Sequence, residues 1–171
     1  MDTTQTDEAL DQAMMRHALA QAQEAAELGE VPVGAVVYRG DQVLALAHNL
    51  RESAADPTAH AEMLALRLAA KRLGTWRLEG CTMAVTLEPC PMCAGALINA
   101  RLARLVYGPA DSKMGCVTTL YQLCTDARFN HRIVVTAGVL AEEGAAMLRE
   151  FFRQRRVKEP PAKPLPRETG P

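Results

Sequence analysis

The sequence has 171 residues with a formal net charge of −1 and a pI of about 6.4, and 49% of its residues are hydrophobic. This length and composition suit one domain with a single core, and they exclude a disordered chain and a general polycation. No apolar run is long enough to cross a bilayer, and the N-terminus is too polar and acidic for a signal peptide. With five cysteines, these features predict a cytoplasmic protein whose thiols stay reduced.

The first elements of the chain are predicted to be a helix and a hairpin. The apolar spacing indicates a helix over residues 7–28, with Asp7 as its cap. Two strand-like runs follow, Val33–Tyr38 and Gln42–Ala47, and the turn residues 39–41 between them are typical of a β-hairpin. We therefore expect this pair of strands to be antiparallel.

The middle of the chain alternates between helices and strands. A second helix is predicted from Asp56-Pro57 to Leu73, since Asp is a good cap and Pro suits the first helical turn. A buried strand is predicted at Thr82–Leu87, and another helix from Pro91 to Arg101.

The last third of the chain is predicted to complete an α/β fold. Two strands, Arg104–Tyr107 and Ile133–Val135, flank a loop with a short helical stretch near Thr119–Leu123, and a final helix follows. Crossover helices make strands three, four and five parallel, so the prediction is a mixed five-stranded sheet with helices on both faces. One folded domain would span residues 1–158, and the Pro-rich tail at 159–171 is predicted to be extended or disordered.

Two short motifs carry the residues that suit metal chemistry. His60-Ala61-Glu62 and Pro89-Cys90-Pro91-Met92-Cys93 are each placed at the start of a predicted helix. One helix and one return strand separate the motifs, so both are expected at the same edge of the sheet.

These motifs predict a zinc site with an adjacent proton carrier. Cys90 and Cys93, at i and i+3, share one face of a helical turn, and the helix N-terminus favours thiolates. With His60 they form a three-ligand set that leaves a fourth position for water, whose pKa zinc lowers toward neutrality. Glu62 lies off the ligand face, which suits a general base. The combination of His-x-Glu with Pro-Cys-x-x-Cys is a known signature of zinc nucleobase deaminases.

A closed structural zinc site is the alternative interpretation of the cysteines. Cys81, Cys116 or Cys124 would then supply a fourth ligand. Cys81 is expected at the far edge of the sheet, so Cys116 is the plausible candidate. A closed site would leave Glu62 without a task, and small core thiols are the simpler interpretation of the three spare cysteines.

From Met14 to Arg156 the chain resembles the bacterial tRNA-specific adenosine deaminases, which belong to the cytidine-deaminase-like superfamily. The resemblance is carried by seven segments: Glu30–Val37, Asp56–Arg67, Val85–Arg101, Tyr107-Gly108, Asp111–Gly115, Phe129–Arg132 and Phe151–Arg153. It implies a three-layer α/β/α fold, a homodimer and one zinc ion per subunit. It also implies conversion of the wobble adenosine of an arginine tRNA to inosine. Pro109 and Thr119 depart from the family pattern, which commonly has alanine and serine there.

The resemblance also implies a mechanism and a set of RNA contacts. Zinc-activated hydroxide would attack adenine C6, with Glu62 as the proton shuttle and N–H groups near Ala61 and Cys90 stabilising the tetrahedral intermediate. Asn49 is expected to hydrogen-bond the base, the alternative being an ordinary turn asparagine. The remaining predicted substrate-binding residues are Asp111, Lys113, Asn130, His131, Arg132 and Arg153, with Arg128 as a further candidate for phosphate. Phe151 and Phe152 could stack on RNA bases, but core packing is the expectation for at least Phe152.

Two other functions are compatible with the motifs. A deaminase of a free nucleobase or nucleoside, such as cytidine or guanine, would use the same zinc site. The basic segment 149–171 and Asn130-His131-Arg132 favour an RNA substrate, namely a tRNA anticodon stem-loop. A non-catalytic zinc module that only binds RNA is disfavoured by Glu62.

Overall fold

The computed structural model describes residues 3–158, and the predicted Pro-rich tail lies outside them. The elements in chain order are α1 (Thr3–Glu27), β1 (Gly34–Arg39), β2 (Gln42–His48), α2 (Ala61–Leu73), β3 (Thr82–Val85), α3 (Pro91–Asn99), β4 (Arg104–Tyr107), a 3-10 turn (Leu123–Thr125), β5 (Val134–Ala137) and α4 (Ala141–Lys158). Within residues 3–158, no helix is both long and apolar enough to span a bilayer.

The five strands form one mixed sheet in the order β2-β1-β3-β4-β5. β1 is antiparallel to both β2 and β3, whereas β3, β4 and β5 are parallel to one another. The predicted hairpin and the predicted parallel half of the sheet are confirmed. The carboxyl ends of β3 and β4 lead into the segments that hold Cys90, Asp111 and Lys113, whereas Asn49 and His60 follow β2.

Helices cover both faces of the sheet, and the predicted three-layer arrangement is confirmed. The small buried residues of α2 and α3 pack with one face of the sheet, in a cluster that includes Ala65, Leu97 and Met83. α1 packs on the opposite face, where Met15 and Ala18 contact Val36 and the other residues of a second cluster. The core is filled with few aromatic residues, because the small alanine side chains let the helices pack close to the sheet and leave little space between them.

Two contacts fix α1 against the sheet. Gly34 lies so close to α1 that a Cβ atom there would be 2.0 Å from the Ala18 carbonyl oxygen. The carboxylate of Asp11, which is 3% exposed, accepts two hydrogen bonds from the Arg104 guanidinium at 2.5 and 2.6 Å. It also accepts a hydrogen bond from the Tyr38 hydroxyl at 3.3 Å. A buried carboxylate is tolerated because these donors satisfy it.

The predicted start of the second helix at Asp56-Pro57 is wrong, since α2 begins at Ala61. The Asp56 carboxylate accepts hydrogen bonds from the Thr58 N–H and hydroxyl at 2.8 and 2.7 Å, which closes a local turn. The chain is then extended through His60, with φ −75° and ψ 150°. His60 therefore caps the helix with its backbone, and its side chain is free for other contacts.

Candidate metal centre and active site

The N-terminal ends of α2 and α3 bring His60, Cys90 and Cys93 together. His60 and Cys90 are the residues immediately before the two helices, and Cys93 lies in the first turn of α3. The Sγ atoms of Cys90 and Cys93 lie 3.7 and 3.6 Å from Nδ1 of His60. The three potential ligand atoms are all within 4.8 Å of one another. One nitrogen and two sulfurs at this spacing match the donor set that zinc prefers.

The cluster has three members. Within residues 3–158, no further histidine, cysteine or carboxylate joins it. Cys81, Cys116 and Cys124 are buried, free thiols outside the cluster. This arrangement favours an open three-ligand site over the closed Cys3His alternative, and the spare cysteines act as small core residues.

Electrostatics in the cluster favour a negative charge on Cys90. The hydrogen bond from the Cys93 thiol lowers the pKa of Cys90 to about 4, against burial, which raises it. The hydrogen bond to Cys90, together with burial, raises the pKa of Cys93. The hydrogen bond with Cys90 likewise raises the pKa of His60, although burial opposes it. The site thus holds its first thiolate readily, and a cation would be needed to stabilise a second.

Glu62 lies in the first turn of α2, two residues after His60, and is 4% exposed. Burial raises its pKa above the ordinary 4.5, and the nearby Cys90 acts in the same direction. A buried carboxyl group with a raised pKa beside a metal-binding cluster is a candidate proton carrier.

A cavity of about 630 Å³ opens from the cluster. Its lining includes His60, Glu62 and Cys90, as well as four of the predicted substrate-binding residues: Asn49, Ala61, Asp111 and Lys113. The structure therefore brings these residues to one place from four separate segments of the chain. The volume is ample for a nucleobase with part of its sugar.

Asn49 is held in this cavity by Glu30, a buried residue that was not among the predicted site residues. The Asn49 side-chain amide donates to the Glu30 carboxylate at 3.3 Å and to the Val31 carbonyl at 3.4 Å. Glu30 also accepts the backbone N–H groups of Glu52 and Ser53 at 3.2 and 2.6 Å. Burial alone would raise the Glu30 pKa, but these donors outweigh it and lower the pKa below 4.5.

Glu88 is a second buried carboxylate that was not predicted from the sequence. It is 2% exposed and accepts hydrogen bonds from several groups in residues 111–119. Burial works against its ionisation, but the Thr119 hydroxyl and the backbone N–H donors lower its pKa to about 2. The helical stretch predicted near Thr119–Leu123 lies instead at Leu123–Thr125, as one 3-10 turn. The only sequence signal was an acid between a strand end and a metal-binding motif.

α4 contributes one wall of the cavity through Leu148, Phe152 and Arg155. Phe152 is 44% exposed, so the expected core packing is wrong. Arg155, which was not among the predicted substrate-binding residues, also lies 5.7 Å from the Phe151 ring centroid. Arg153, which was predicted to bind substrate, points elsewhere on the helix surface and pairs with Glu150 at 2.7 Å.

The remaining predicted substrate-binding residues lie apart from this cavity. Asn130 lines a different cavity of about 500 Å³ with Trp76 and Phe129, and it accepts a hydrogen bond from Arg101 at 2.8 Å. The Nε2 atom of His131 lies 2.6 Å from the Leu102 carbonyl oxygen. Arg132 is exposed. Arg128, the further phosphate candidate, pairs with Asp126 at 2.5 Å.

The fold and the site define the class of protein as a deaminase. The family model of MafB19-like deaminases matches residues 10–156. Among solved structures, one from work on A-to-I editing by tRNA:A34 deaminases is similar with a TM-score of 0.77 and 40% identity, over 80% of this chain and 99% of that one. A guanine deaminase from Nitrosomonas europaea is similar with a TM-score of 0.73 and 26% identity, over 82% and 83%.

Curated relatives show which family of deaminases the chain belongs to. The tRNA-specific adenosine deaminase of Bacillus subtilis is 50% identical over 153 residues, which cover 90% of this chain and 95% of the relative. The chain belongs to the tRNA-specific adenosine deaminase family, as the sequence resemblance predicted.

Proposed function

We propose that the protein hydrolytically deaminates the wobble adenosine in a tRNA anticodon loop to inosine, with release of ammonia. The observation that carries the proposal is the His60, Cys90 and Cys93 cluster beside the buried Glu62, at the head of a cavity that also contains Asn49. The 50% identity to a tRNA-specific adenosine deaminase supports the substrate. The lower identity of 26% to a guanine deaminase makes free guanine the weaker candidate.

The proposed cofactor is one zinc ion held by Nδ1 of His60 and the sulfurs of Cys90 and Cys93. Bound there, zinc would supply Lewis-acid activation of water. Glu62 would take one proton from the attacking water and deliver it to ring N1 of adenine. It would then carry the second proton, from the hydroxyl group formed at C6, to the amino group, which leaves as ammonia as the C6–N bond breaks. The raised pKa of Glu62 suits this role, because it makes the carboxylate a stronger proton acceptor.

The rest of the cavity would hold the base and exclude solvent. Asn49 offers a polar side chain whose direction is fixed by Glu30. The backbone N–H groups near Ala61 and Cys90, at the two helix N-termini, suit stabilisation of negative charge that develops during attack on C6. An anticodon loop is already single-stranded, so little energy is spent on unstacking its base.

Charge and exposure around the cavity mouth support an RNA substrate over a free nucleoside. Arg51, Lys113 and Arg155 line the cavity as cations, and Phe152 presents an exposed ring beside them. Cations suit the phosphates that flank the target base, and an aromatic ring suits stacking with an unpaired neighbour. A free nucleoside would use neither.

The direct test is inosine formation on an anticodon stem-loop of an arginine tRNA. Free adenosine, cytidine and guanine are assayed beside it, and zinc is counted per chain. Inosine at the wobble position alone supports the proposal, and a panel of other stem-loops would test the arginine type. Ammonia release only from a free base or nucleoside would refute tRNA as the substrate but would still support hydrolytic deamination. RNA binding without any deamination by the zinc-loaded protein would support the non-catalytic alternative.

The other properties implied by the family are proposals with separate measurements. We propose a homodimer, which light scattering of the purified protein tests. A cytoplasmic location is supported by the five free cysteines and is tested by cell fractionation. We also propose a deaminase domain at residues 1–158 followed by a Pro-rich tail at 159–171, and assays of a chain truncated after residue 158 test that boundary.

A further inference from the structure

Glu88 is a buried charged group to which the proposed chemistry gives no task. It lies two residues before Cys90, in the short segment between the end of β3 at Val85 and the metal-binding motif, and it is 2% exposed. A carboxylate at such a position is costly unless every lone pair is satisfied. The identity of its hydrogen-bond donors therefore indicates what the residue is for.

All the donors to the Glu88 side chain come from one distant segment, residues 111–119. Oε1 accepts the backbone N–H groups of Val117, Thr118 and Thr119 at 3.1, 2.8 and 3.0 Å. Oε2 accepts the N–H of Asp111 at 3.0 Å and the hydroxyl of Thr119. The carboxylate thus contacts both ends of the segment. It accepts backbone N–H groups that would otherwise bond within a helix or a sheet.

The segment is shaped to enclose this carboxylate. A Cβ atom on Gly115 would lie 2.2 Å from Oε2 of Glu88 and 2.6 Å from the Asp111 carbonyl oxygen, so only glycine fits there. The Asp111 carboxylate closes the turn by accepting the N–H groups of Lys113 and Met114 at 2.8 and 3.3 Å. Two carboxylates therefore fix the path of the loop: Glu88 bonds to its two ends, and Asp111 bonds to the turn between them.

The outer part of the same segment lines the candidate active site. Ala110, Asp111, Ser112, Lys113 and Met114 form one wall of the 630 Å³ cavity, which opens from His60 and Glu62. The position of Lys113 and of the exposed Met114 therefore depends on how the loop is anchored. Glu88 is the anchor that joins this wall to the strand carrying the metal-binding motif.

We propose that Glu88 is a positioning residue that holds segment 110–114 as the wall against which the RNA substrate is bound. The proposal rests on the proposed function for the identity of the substrate. Glu88 contributes to binding through the loop, and it leaves the proton transfer to Glu62. Loss of its second carboxylate oxygen weakens RNA binding far more than it slows the chemical step.

Glu88→Gln is the principal test, because glutamine keeps the size of the side chain and replaces one acceptor by an NH2 group. That NH2 group would face N–H donors, so the loop must move to relieve the conflict. The fold is expected to persist, since the backbone bonds Glu88 N–H to Pro109 O at 3.0 Å and Cys116 N–H to Pro89 O at 2.9 Å are unchanged. KM for the stem-loop is expected to rise about tenfold or more while kcat changes less than about threefold.

Two further variants separate positioning from general stability. Thr119→Val removes one hydroxyl donor to Glu88 and is expected to raise KM by about threefold to tenfold, whereas Thr119→Ser keeps the hydroxyl and restores KM. Glu79→Gln is the matched control, because it makes the same change on an exposed side chain outside the cavity lining. If Glu88→Gln fails to fold, the two Thr119 variants decide the question.

Zinc content and amide hydrogen exchange distinguish the possible outcomes. Faster exchange at residues 111–119 in Glu88→Gln, with full zinc and an unchanged rate in α3, supports the proposal. A parallel loss of zinc and kcat would overturn it, since Glu88 would then act on the metal-binding motif. Unchanged KM and unchanged exchange would also overturn it. A zinc-loaded wild-type protein that leaves the stem-loop untouched would refute the proposed function, while the exchange data would still judge the anchoring role of Glu88.

Discussion

The side-chain amide of Asn49 donates a hydrogen bond to the carboxylate of Glu30, with 3.3 Å between Nδ2 and Oε2. Glu30 is 1% exposed, and Asn49 lines the candidate active site. The same carboxylate accepts the N–H groups of Glu52 and Ser53. One buried acid therefore sets both the direction of a proposed base-binding side chain and the path of the loop that follows it.

Glu30→Gln is expected to reduce stability in a pH-dependent way. The folded-state pKa of Glu30 is lowered below the ordinary 4.5, so its contribution is fully present above that value and is lost as the pH falls through the folded-state pKa. The difference in free energy of unfolding between wild type and variant should shrink as the pH falls below 4.5. Urea unfolding at several pH values measures it. A difference that stays constant over this range would contradict the depressed pKa.

Glu62→Gln is expected to abolish deamination without releasing the metal. Glutamine cannot carry a proton, and general acid–base groups contribute roughly 10²- to 10⁴-fold to rate, so kcat should fall by that amount. Inosine formation on the stem-loop and zinc per chain are the two measurements. Glu79→Gln, an exposed change of the same kind, is the control and should match wild type. A zinc-loaded variant with full activity would remove Glu62 from the mechanism.

Removal of the metal is expected to cost both activity and stability. A ligand at 100 times its Kd stabilises a protein by about 2.7 kcal/mol, so chelation should lower Tm as well as stop inosine formation. Both should return when zinc is added. Cys93→Ser should lose zinc, whereas Cys116→Ser should keep it, because Cys116 is a buried residue outside the cluster. Zinc loss from Cys116→Ser would instead support the closed site in which Cys116 is the fourth ligand.

Arg155 and Arg153 are expected to differ in their effect on RNA binding. Arg155 lines the cavity, whereas Arg153 already pairs with Glu150 on the helix surface. Loss of one phosphate contact to a single strand reduces the slope of log K against log salt concentration by about 0.7. Arg155→Ala should show this change and Arg153→Ala a smaller one, as measured by anisotropy titrations at several salt concentrations. Equal slopes for the two variants would exclude the phosphate role of Arg155.

Much of the fold was predictable because its signals are local. The strand Arg104–Tyr107 was predicted with the bounds that the structure has, and its parallel neighbours followed from the alternation of helices and strands. The start of α2 was not predictable, because Asp56 is equally suited to cap a helix or to close a turn with Thr58. The structure has the turn. Local propensity does not decide between these two uses of one carboxylate.

The candidate site was only partly predictable, for a different reason. The metal-binding cluster is encoded in two short motifs, so sequence spacing was sufficient to propose it. Glu30 and Glu88 are single acids whose hydrogen-bond partners lie 19 to 31 positions away, and no local pattern marks them as buried. On α4 the sequence indicated an RNA-facing helix, but the choice between Arg153 and Arg155 depends on how the helix is rotated against the sheet.

The two buried acids have a consequence for the thermodynamics of recognition. Glu30 and Glu88 each hold a segment that contributes to the cavity lining through backbone N–H groups, so both segments are ordered before any ligand arrives. Ordering a loop on binding costs conformational entropy for every side chain immobilised, and that cost is avoided here. Most of the conformational entropy lost on association would then be lost by the nucleic acid. Discrimination among anticodon loops would depend on how easily each loop adopts the shape that fits this preformed cavity.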